Sequence, residues 1–85
     1  MPKPQVHEFK EPTPDEKADL LRRAKAAWAA TGEDGTPTQA SGFVALDGLG
    51  YVVLQGRGTV LAVYRVRPDN GVLRRLKRWP VALAL

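Results

Sequence analysis

The positions of apolar and polar residues divide this chain into one helical segment followed by several short strands. Thr13 and Glu16 have the spacing of a capping box, Pro14 suits the first helical position, and Gly32 suits the residue after a helix. The pattern therefore predicts an amphipathic helix that begins after Thr13 and ends before Gly32. The apolar side chains that recur at helical spacing within it are Leu20, Leu21, Ala24, Ala27 and Trp28.

Beyond the helix, the pattern changes to short runs rich in β-branched and aromatic residues, separated by turns that contain glycine. The runs are FVAL, YVVLQ, TVLAVYRV and VLRRLKRW, and the turns are DGLG, GRG and RPDNG. Connections this short join antiparallel neighbours. The predicted fold class is α+β, with one N-terminal helix packed on a three- to four-stranded antiparallel β-meander. The segment GEDGTPTQASG is predicted to be a crossover from helix to sheet, with a functional loop as the alternative.

The first residues of the chain differ in composition from the rest. Residues 1–12 contain three prolines and charges of both signs, a composition that does not favour a helix or a paired strand. We therefore predict a flexible N-terminal arm at residues 1–12 and a single small domain at residues 13–85.

Side-chain alternation assigns the last two strands to two faces of the sheet. The turn RPDNG closes either as a four-residue loop, which pairs Arg67 with Val72, or as a two-residue turn, which pairs Asp69 with Val72. Both closures give the same faces, because strand side chains alternate with a period of two. The arginine face comprises Leu61, Val63, Arg65, Arg67, Val72, Arg74, Leu76 and Arg78. The tyrosine face comprises Val60, Ala62, Tyr64, Val66, Leu73, Arg75, Lys77 and Trp79.

The GRG turn decides which way the second strand points. A two-residue turn places Val52 and Leu54 on the arginine face, and a three-residue turn places them on the tyrosine face. Both faces are apolar at their centre, which is typical of strands covered on two sides, whereas the chain offers one helix. We expect the helix to cover the tyrosine face. An aliphatic patch then stays uncovered on the arginine face, unless the segment VALAL covers it; the patch comprises Val52, Leu54, Leu61, Val63 and Leu76.

Charge is distributed unevenly along the chain. Residues 1–50 carry six Lys/Arg and eight Asp/Glu, whereas residues 51–85 carry seven Lys/Arg and a single acid, Asp69. The two turn closures place Arg74 opposite Arg65 or Arg67, and like charges directly opposed across strands destabilise a sheet. A phosphate or a carboxylate-rich partner relieves such repulsion, so the basic half predicts an acidic partner.

Two binding functions fit this pattern. We predict a non-enzymatic binding protein that uses the basic sheet face for protein association, either as a homodimer or as an adaptor on an acidic partner. The alternative is a nucleic-acid-binding module that contacts RNA or DNA phosphates through the arginine-rich ribbon. The candidate contact residues are Arg65, Arg67, Arg74, Arg75, Lys77 and Arg78 for charge, with Tyr64 and Trp79 for stacking on bases.

Other chemistry has little support in the sequence. The chain has no cysteine, which excludes disulfides and thiol catalysis. Together with the lack of an apolar run long enough for a signal peptide or a membrane span, this predicts a cytoplasmic protein that does not enter a membrane. His7 is the only histidine, and spacing places no base beside Ser41, the only serine. We therefore expect no catalytic site, no metal and no cofactor.

Overall fold

The computed structural model describes residues 11–84 and shows one helix packed on a four-stranded antiparallel sheet. The strands are neighbours in chain order, which confirms the predicted α+β class and the β-meander. The predicted arm, residues 1–12, lies outside the described residues except for its last two positions. The elements are α1 Pro14–Thr31, β1 Gly42–Leu46, β2 Leu49–Gln55, β3 Val60–Val66, β4 Leu73–Arg75 and a 3₁₀ helix, Val81–Ala84.

Both ends of α1 are formed by the residues that the sequence indicated. The Glu16 amide donates to Thr13 Oγ1 at 3.2 Å, and the Thr13 amide donates to Glu16 Oε1 at 3.1 Å. This capping box satisfies amide groups that have no partner inside the helix. Gly32 ends the helix with a φ of 72°, in the left-handed region that glycine adopts without a steric penalty.

The helix covers the tyrosine face of the sheet, as predicted. Leu20, Ala24 and Trp28 are its buried residues, and each occupies the side of α1 that faces the strands. The Trp28 ring also donates a hydrogen bond from Nε1 to the carbonyl of Gly35 at 2.9 Å, which fixes the loop after the helix. The buried sheet residues of this core are Val52, Leu54, Ala62 and Tyr64.

The opposite face of the sheet is covered by the segment that follows β4. Leu83 of the 3₁₀ helix is buried against Tyr51, Val53 and Val63, and Val63 is 0% exposed. The expectation of an uncovered aliphatic patch is therefore wrong, and the alternative cover by the segment VALAL is correct. The reason is that each apolar side chain removed from water contributes substantially to the stability of a domain of this size. The 3₁₀ helix after β4 therefore packs over the sheet.

A bulge in β3 corrects the predicted faces of two residues. Leu54 lies opposite Ala62 and Gln55 lies opposite Val60, so Leu61 has no partner in β2. An extra residue of this kind interrupts the alternation of side chains. Leu61 consequently packs on the helix side and Val60 on the opposite side, the reverse of the prediction.

The same register settles the orientation of β2. Val52 lies opposite Tyr64, and Leu54 belongs to the same core beneath the helix. This is the arrangement that the three-residue GRG turn predicted, whereas the two-residue alternative is wrong. Both residues, which were expected to contribute to an open patch, are 0% exposed.

The fourth strand is shorter than the sequence suggested. It ends at Arg75, and the backbone bends at Lys77 and Arg78. Alternation stops at this bend, and Pro80 has no amide hydrogen with which to extend the strand. Trp79 therefore packs against the arginine-face core instead of lying on the tyrosine face, where alternation had placed it.

The connection between α1 and β1 is tied to the end of β2. Thr38 donates from its amide and from Oγ1 to the carbonyl of Gln55, at 2.7 and 3.0 Å. The Gln55 amide in turn donates to Ser41 Oγ at 2.8 Å. Thr38 and Ser41 thus form hydrogen bonds with the backbone of β2 just before β1 begins. This gives the connection a structural role.

Candidate functional site

Two arginines stand directly opposite each other at the centre of the arginine face. Arg65 of β3 pairs with Arg74 of β4. The Arg67 amide donates a hydrogen bond to the Val72 carbonyl, and the Leu76 amide donates one to the Val63 carbonyl. These two bonds lie on either side of the Arg65–Arg74 pair. Arg65 and Arg74 therefore form a hydrogen-bonded pair, whose Cα atoms are about 5.5 Å apart.

Arg65 and Arg74 form no ion pair with any of the carboxylates in residues 11–84. Both side chains are exposed. Directly opposed like charges destabilise a strand pair by a few tenths of a kcal/mol up to about 1 kcal/mol. The fold accepts this repulsion on a solvent-facing surface, where an anionic partner has access.

The turn after β3 brings a third arginine to the same place. The Gly71 amide donates to the carbonyl of Arg67 at 2.8 Å, and the Val72 amide donates to Asn70 Oδ1 at 3.0 Å. This is the four-residue closure, so the alternative that paired Asp69 with Val72 is wrong. The side chain of Arg67 lies 3.5 Å, Nε to Oδ1, from Asp69, in an exposed ion pair.

The three arginines line one shallow depression with a volume of about 390 Å³. Asp69 is the one carboxylate among its lining residues, so the formal charge around the depression is positive. We call this depression the arginine depression; its lining residues are Arg65, Arg67, Pro68, Asp69 and Arg74.

Arg75, another predicted contact residue, lies on the tyrosine side and is engaged there. Its guanidinium donates to both carboxylate oxygens of Glu33, at 2.6 and 3.2 Å, and lies 5.3 Å from the centroid of the Trp28 ring. The hydrogen bonds from Arg75 lower the pKa of Glu33, and the same bonds raise the pKa of Arg75. Contact between Arg75 and an external anion would have to compete with Glu33.

The remaining predicted residues fall into two groups. Lys77 and Arg78 are exposed at the bend after β4, and neither forms an ion pair within the described part of the chain. Tyr64 is 4% exposed beneath the helix, where burial raises its pKa and its hydroxyl has no hydrogen-bond partner among residues 11–84. Trp79 is half-buried against the core that contains Val63 and Leu83. The structure thus brings Arg65, Arg67 and Arg74 together around one depression, and neither predicted stacking group lines it.

Three valines are exposed on or beside the arginine face, and only Val72 was assigned to that face from the sequence. Val44 is 39% exposed and pairs with Tyr51, which itself pairs with Arg65, so it lies in the same row across the sheet. Val72, 49% exposed, pairs with Arg67. Val81, 78% exposed, belongs to the 3₁₀ helix that covers this face. The register of the turn predicts the position of Val72 on this face, whereas the exposure of Val44 and Val81 depends on tertiary packing.

No group of three or more metal-ligating side chains is present among residues 11–84. None of the helices described in this range has the length and apolar character needed to span a bilayer. Comparison with protein-family models, with curated proteins and with solved structures finds no match to this chain.

Proposed function

We propose that this protein is a non-enzymatic binding protein that docks the arginine face of its sheet on an acidic protein partner. The observation that carries the proposal is the exposed Arg65–Arg74 pair, which no carboxylate within residues 11–84 neutralises. A carboxylate placed between two guanidinium groups converts their repulsion into two charge-assisted interactions. Binding of an acidic group therefore removes a destabilising contact and adds favourable ones.

The surroundings of the arginines favour a protein over a nucleic acid. Val44, Val72 and Val81 expose apolar surface on or beside this face, and contacts between proteins combine such surface with arginine. A nucleic acid without base pairing is bound largely through aromatic side chains that stack on its bases. Tyr64 is buried under the helix, and Trp79 is half-buried against the core that contains Leu83, so only part of one of the two rings is exposed.

A second copy of this chain is a poor partner for the same surface. A two-fold dimer formed through the arginine face would place two copies of the same positively charged surface against each other. The aliphatic surface that would have sealed such a dimer is covered by Leu83. We therefore expect a sedimentation mass of one subunit at high protein concentration.

The experiment measures binding of fluorescent poly-L-glutamate to the full chain by anisotropy at low and at moderate salt. Arg65→Glu/Arg74→Glu should weaken binding by about tenfold or more, because it removes both central charges. The matched control is Lys25→Glu/Arg57→Glu, which changes the net charge equally at exposed positions on α1 and on the β2–β3 turn. The control should bind nearly as well as the unmodified protein.

Two results would contradict the proposal. Equal loss of binding in the two double variants would show that net charge alone attracts the polyanion. Tighter binding of single-stranded RNA or duplex DNA than of poly-L-glutamate, lost only in Arg65→Glu/Arg74→Glu, would show that this face binds nucleic acid instead.

A further inference from the structure

We infer that the arginine depression is a site for a phosphomonoester, presented by the partner protein as a phosphorylated serine or threonine. The inference rests on the proposed function, because it names the chemical group of the acidic partner that enters the depression. Its basis is the arrangement of three guanidinium groups around one small concave surface.

The backbone sets the spacing of these groups. Arg65 and Arg74 are a cross-strand pair with Cα atoms about 5.5 Å apart. Arg67 follows Arg65 by two residues on the same side, a displacement of about 7 Å along the strand. The three side chains therefore approach the depression from the corners of a triangle. A phosphoryl group offers three terminal oxygens, and each accepts hydrogen bonds from the planar fork of an arginine.

The charge around the depression suits a dianion better than a single carboxylate. Three arginines and Asp69 line it, which leaves a formal charge of +2 on the lining side chains. A phosphomonoester carries about −1.5 to −2 at neutral pH. One carboxylate would leave part of the positive charge unbalanced, whereas one phosphoryl group balances nearly all of it.

The depression is large enough to hold one such group and its side chain. Its volume of about 390 Å³ is at the small end of the range for ligand sites. A nucleic-acid strand needs a continuous basic track instead. Lys77 and Arg78, the exposed cations at the bend after β4, do not line the depression, and Lys25 and Arg57 lie on the helix and on the β2–β3 turn.

Asp69 has a distinct role in this site. In the unliganded protein its carboxylate lies 3.5 Å from Arg67 Nε and partly neutralises that arginine. An arriving phosphoryl group has to displace Asp69 from Arg67 and is repelled by it. Removing the charge of Asp69 should therefore strengthen anion binding, an effect opposite to that of removing an arginine.

The test uses three synthetic peptides with the same glutamate-rich flanks and a central serine, phosphoserine or glutamate. Binding to the full chain is measured by fluorescence anisotropy at fixed ionic strength. We expect the phosphoserine peptide to bind about tenfold more tightly than the serine peptide and clearly more tightly than the glutamate peptide. A titration with inorganic phosphate should shift the side-chain Nε–H resonances of Arg65, Arg67 and Arg74.

Two substitutions of exposed residues separate geometry from charge. Arg74→Lys keeps the charge but removes the fork, so it should reduce the preference for phosphoserine over glutamate while largely preserving binding of the glutamate peptide. Asp69→Asn should tighten binding of the phosphoserine peptide severalfold. Far-UV circular dichroism and the unfolding midpoint check that both variants are folded.

A pH series supplies a readout specific to the phosphoryl group. Its second pKa is near 6, so lowering the pH from about 7.5 to 5.5 reduces its charge and should weaken binding of the phosphoserine peptide. The glutamate peptide stays ionised over this range and should bind equally well.

The outcomes distinguish the two proposals. Equal affinity for the phosphoserine and glutamate peptides, unchanged in Arg74→Lys, would overturn the phosphomonoester site and leave an acidic protein partner intact. Failure of all three peptides and of poly-L-glutamate to bind would overturn both. Weaker binding in Asp69→Asn would also contradict the site, because it would show that Asp69 organises the depression and does not compete with the anion.

Discussion

Glu33 and Arg75 form a two-pronged ion pair, with nitrogen–oxygen distances of 2.6 and 3.2 Å, between residues 42 positions apart in the sequence. It joins the loop after α1 to β4 and holds the guanidinium over the Trp28 ring. The Arg75 charge is thus engaged within the protein, whereas Arg74, on the other side of the same short strand, forms no ion pair within residues 11–84.

The Glu33–Arg75 pair predicts a component of the acid sensitivity of the fold. The hydrogen bonds from Arg75 lower the folded-state pKa of Glu33 below its ordinary value of 4.5. A carboxyl group with a depressed folded pKa contributes stability that is fully present above its unfolded pKa and is lost as the pH falls through the folded value. Glu33→Gln should therefore lower the unfolding midpoint at pH 7 and make less difference below about pH 4.

Urea unfolding of the unmodified protein and of Glu33→Gln at several pH values checks this prediction. Asp19, whose pKa is also lowered, chiefly by a hydrogen bond from Arg22, provides a separate acid-sensitive contribution that both proteins share. A constant difference in stability between the two proteins from pH 7 down to pH 3 would contradict the assigned role of Glu33.

Removal of the cover over the second face is predicted to destabilise the domain. Leu83 is 4% exposed and contacts the core formed by Tyr51, Val53 and Val63. Leu83→Ala should reduce the free energy of unfolding by about 2 kcal/mol, the low end of the range for buried leucines, because a terminal segment adjusts more easily than an interior one. Val81→Ala, on the same 3₁₀ helix but exposed, should cost less than about 0.5 kcal/mol. Similar costs for the two variants would mean that the 3₁₀ helix does not cover the sheet in solution.

Gly35 is predicted to be intolerant of any side chain. Its φ of 116° is a conformation that other residues rarely adopt, and an added Cβ would lie 2.7 Å from Leu61 Cδ2. Gly35→Ala should destabilise by about 1 to 3 kcal/mol. Gly42→Ala is the control, because its Cβ would meet nothing within 4 Å and its φ is not positive, so we expect it to be neutral or slightly stabilising. Thermal unfolding of both variants measures the difference.

Ser41 is predicted to act in structure and not in catalysis. Its buried Oγ accepts the Gln55 amide at 2.8 Å, at the point where the β2–β3 register shifts. Ser41→Ala leaves that amide without its partner and should cost about 1 to 3 kcal/mol in urea unfolding. Thr59→Ala, at an exposed position in the next turn, should change stability little. A neutral Ser41→Ala would show that water replaces the hydroxyl.

The arginine pair is predicted to lower stability in return for binding. Arg74→Glu turns the repulsive pair with Arg65 into an attractive one and should stabilise the fold by a few tenths of a kcal/mol up to about 1 kcal/mol. The same substitution should weaken binding of poly-L-glutamate. Arg78→Glu, outside the strand pairs, should not give this stabilisation. A destabilising effect of Arg74→Glu would indicate that the two arginines do not repel each other in the free protein.

The elements whose signals are local could be predicted from the sequence. The capping box at Thr13 and Glu16 and the glycine after Thr31 define α1 without reference to the rest of the chain. The strand order follows from connections too short for anything but antiparallel neighbours. The pairing of Arg65 with Arg74 was among the two alternatives, because the turn sequence alone restricts the register.

The face assignments that were wrong assumed an uninterrupted alternation of side chains along each strand. The unpaired residue Leu61 reverses its own predicted face and that of Val60, and no turn residue or proline marks its position. The bend at Lys77 moves Trp79 to the other side of the sheet. The partnership of Glu33 with Arg75 joins two segments whose proximity is set by tertiary packing, so a sequence pattern does not reveal it.

The strand order also bears on how the molecule reaches and keeps its native state. Each strand pairs with the next one along the chain, so the hairpins close over short loops at little entropic cost. The helix and the 3₁₀ helix, in contrast, come from opposite ends of the described chain and pack on the two faces of the sheet. We expect the meander to form before the rate-limiting step of folding, and the helix and the 3₁₀ helix to pack on it after that step. The unfolding rate is then determined by the contacts of these two helices with the sheet, because contacts that form after the transition state are the ones that slow unfolding.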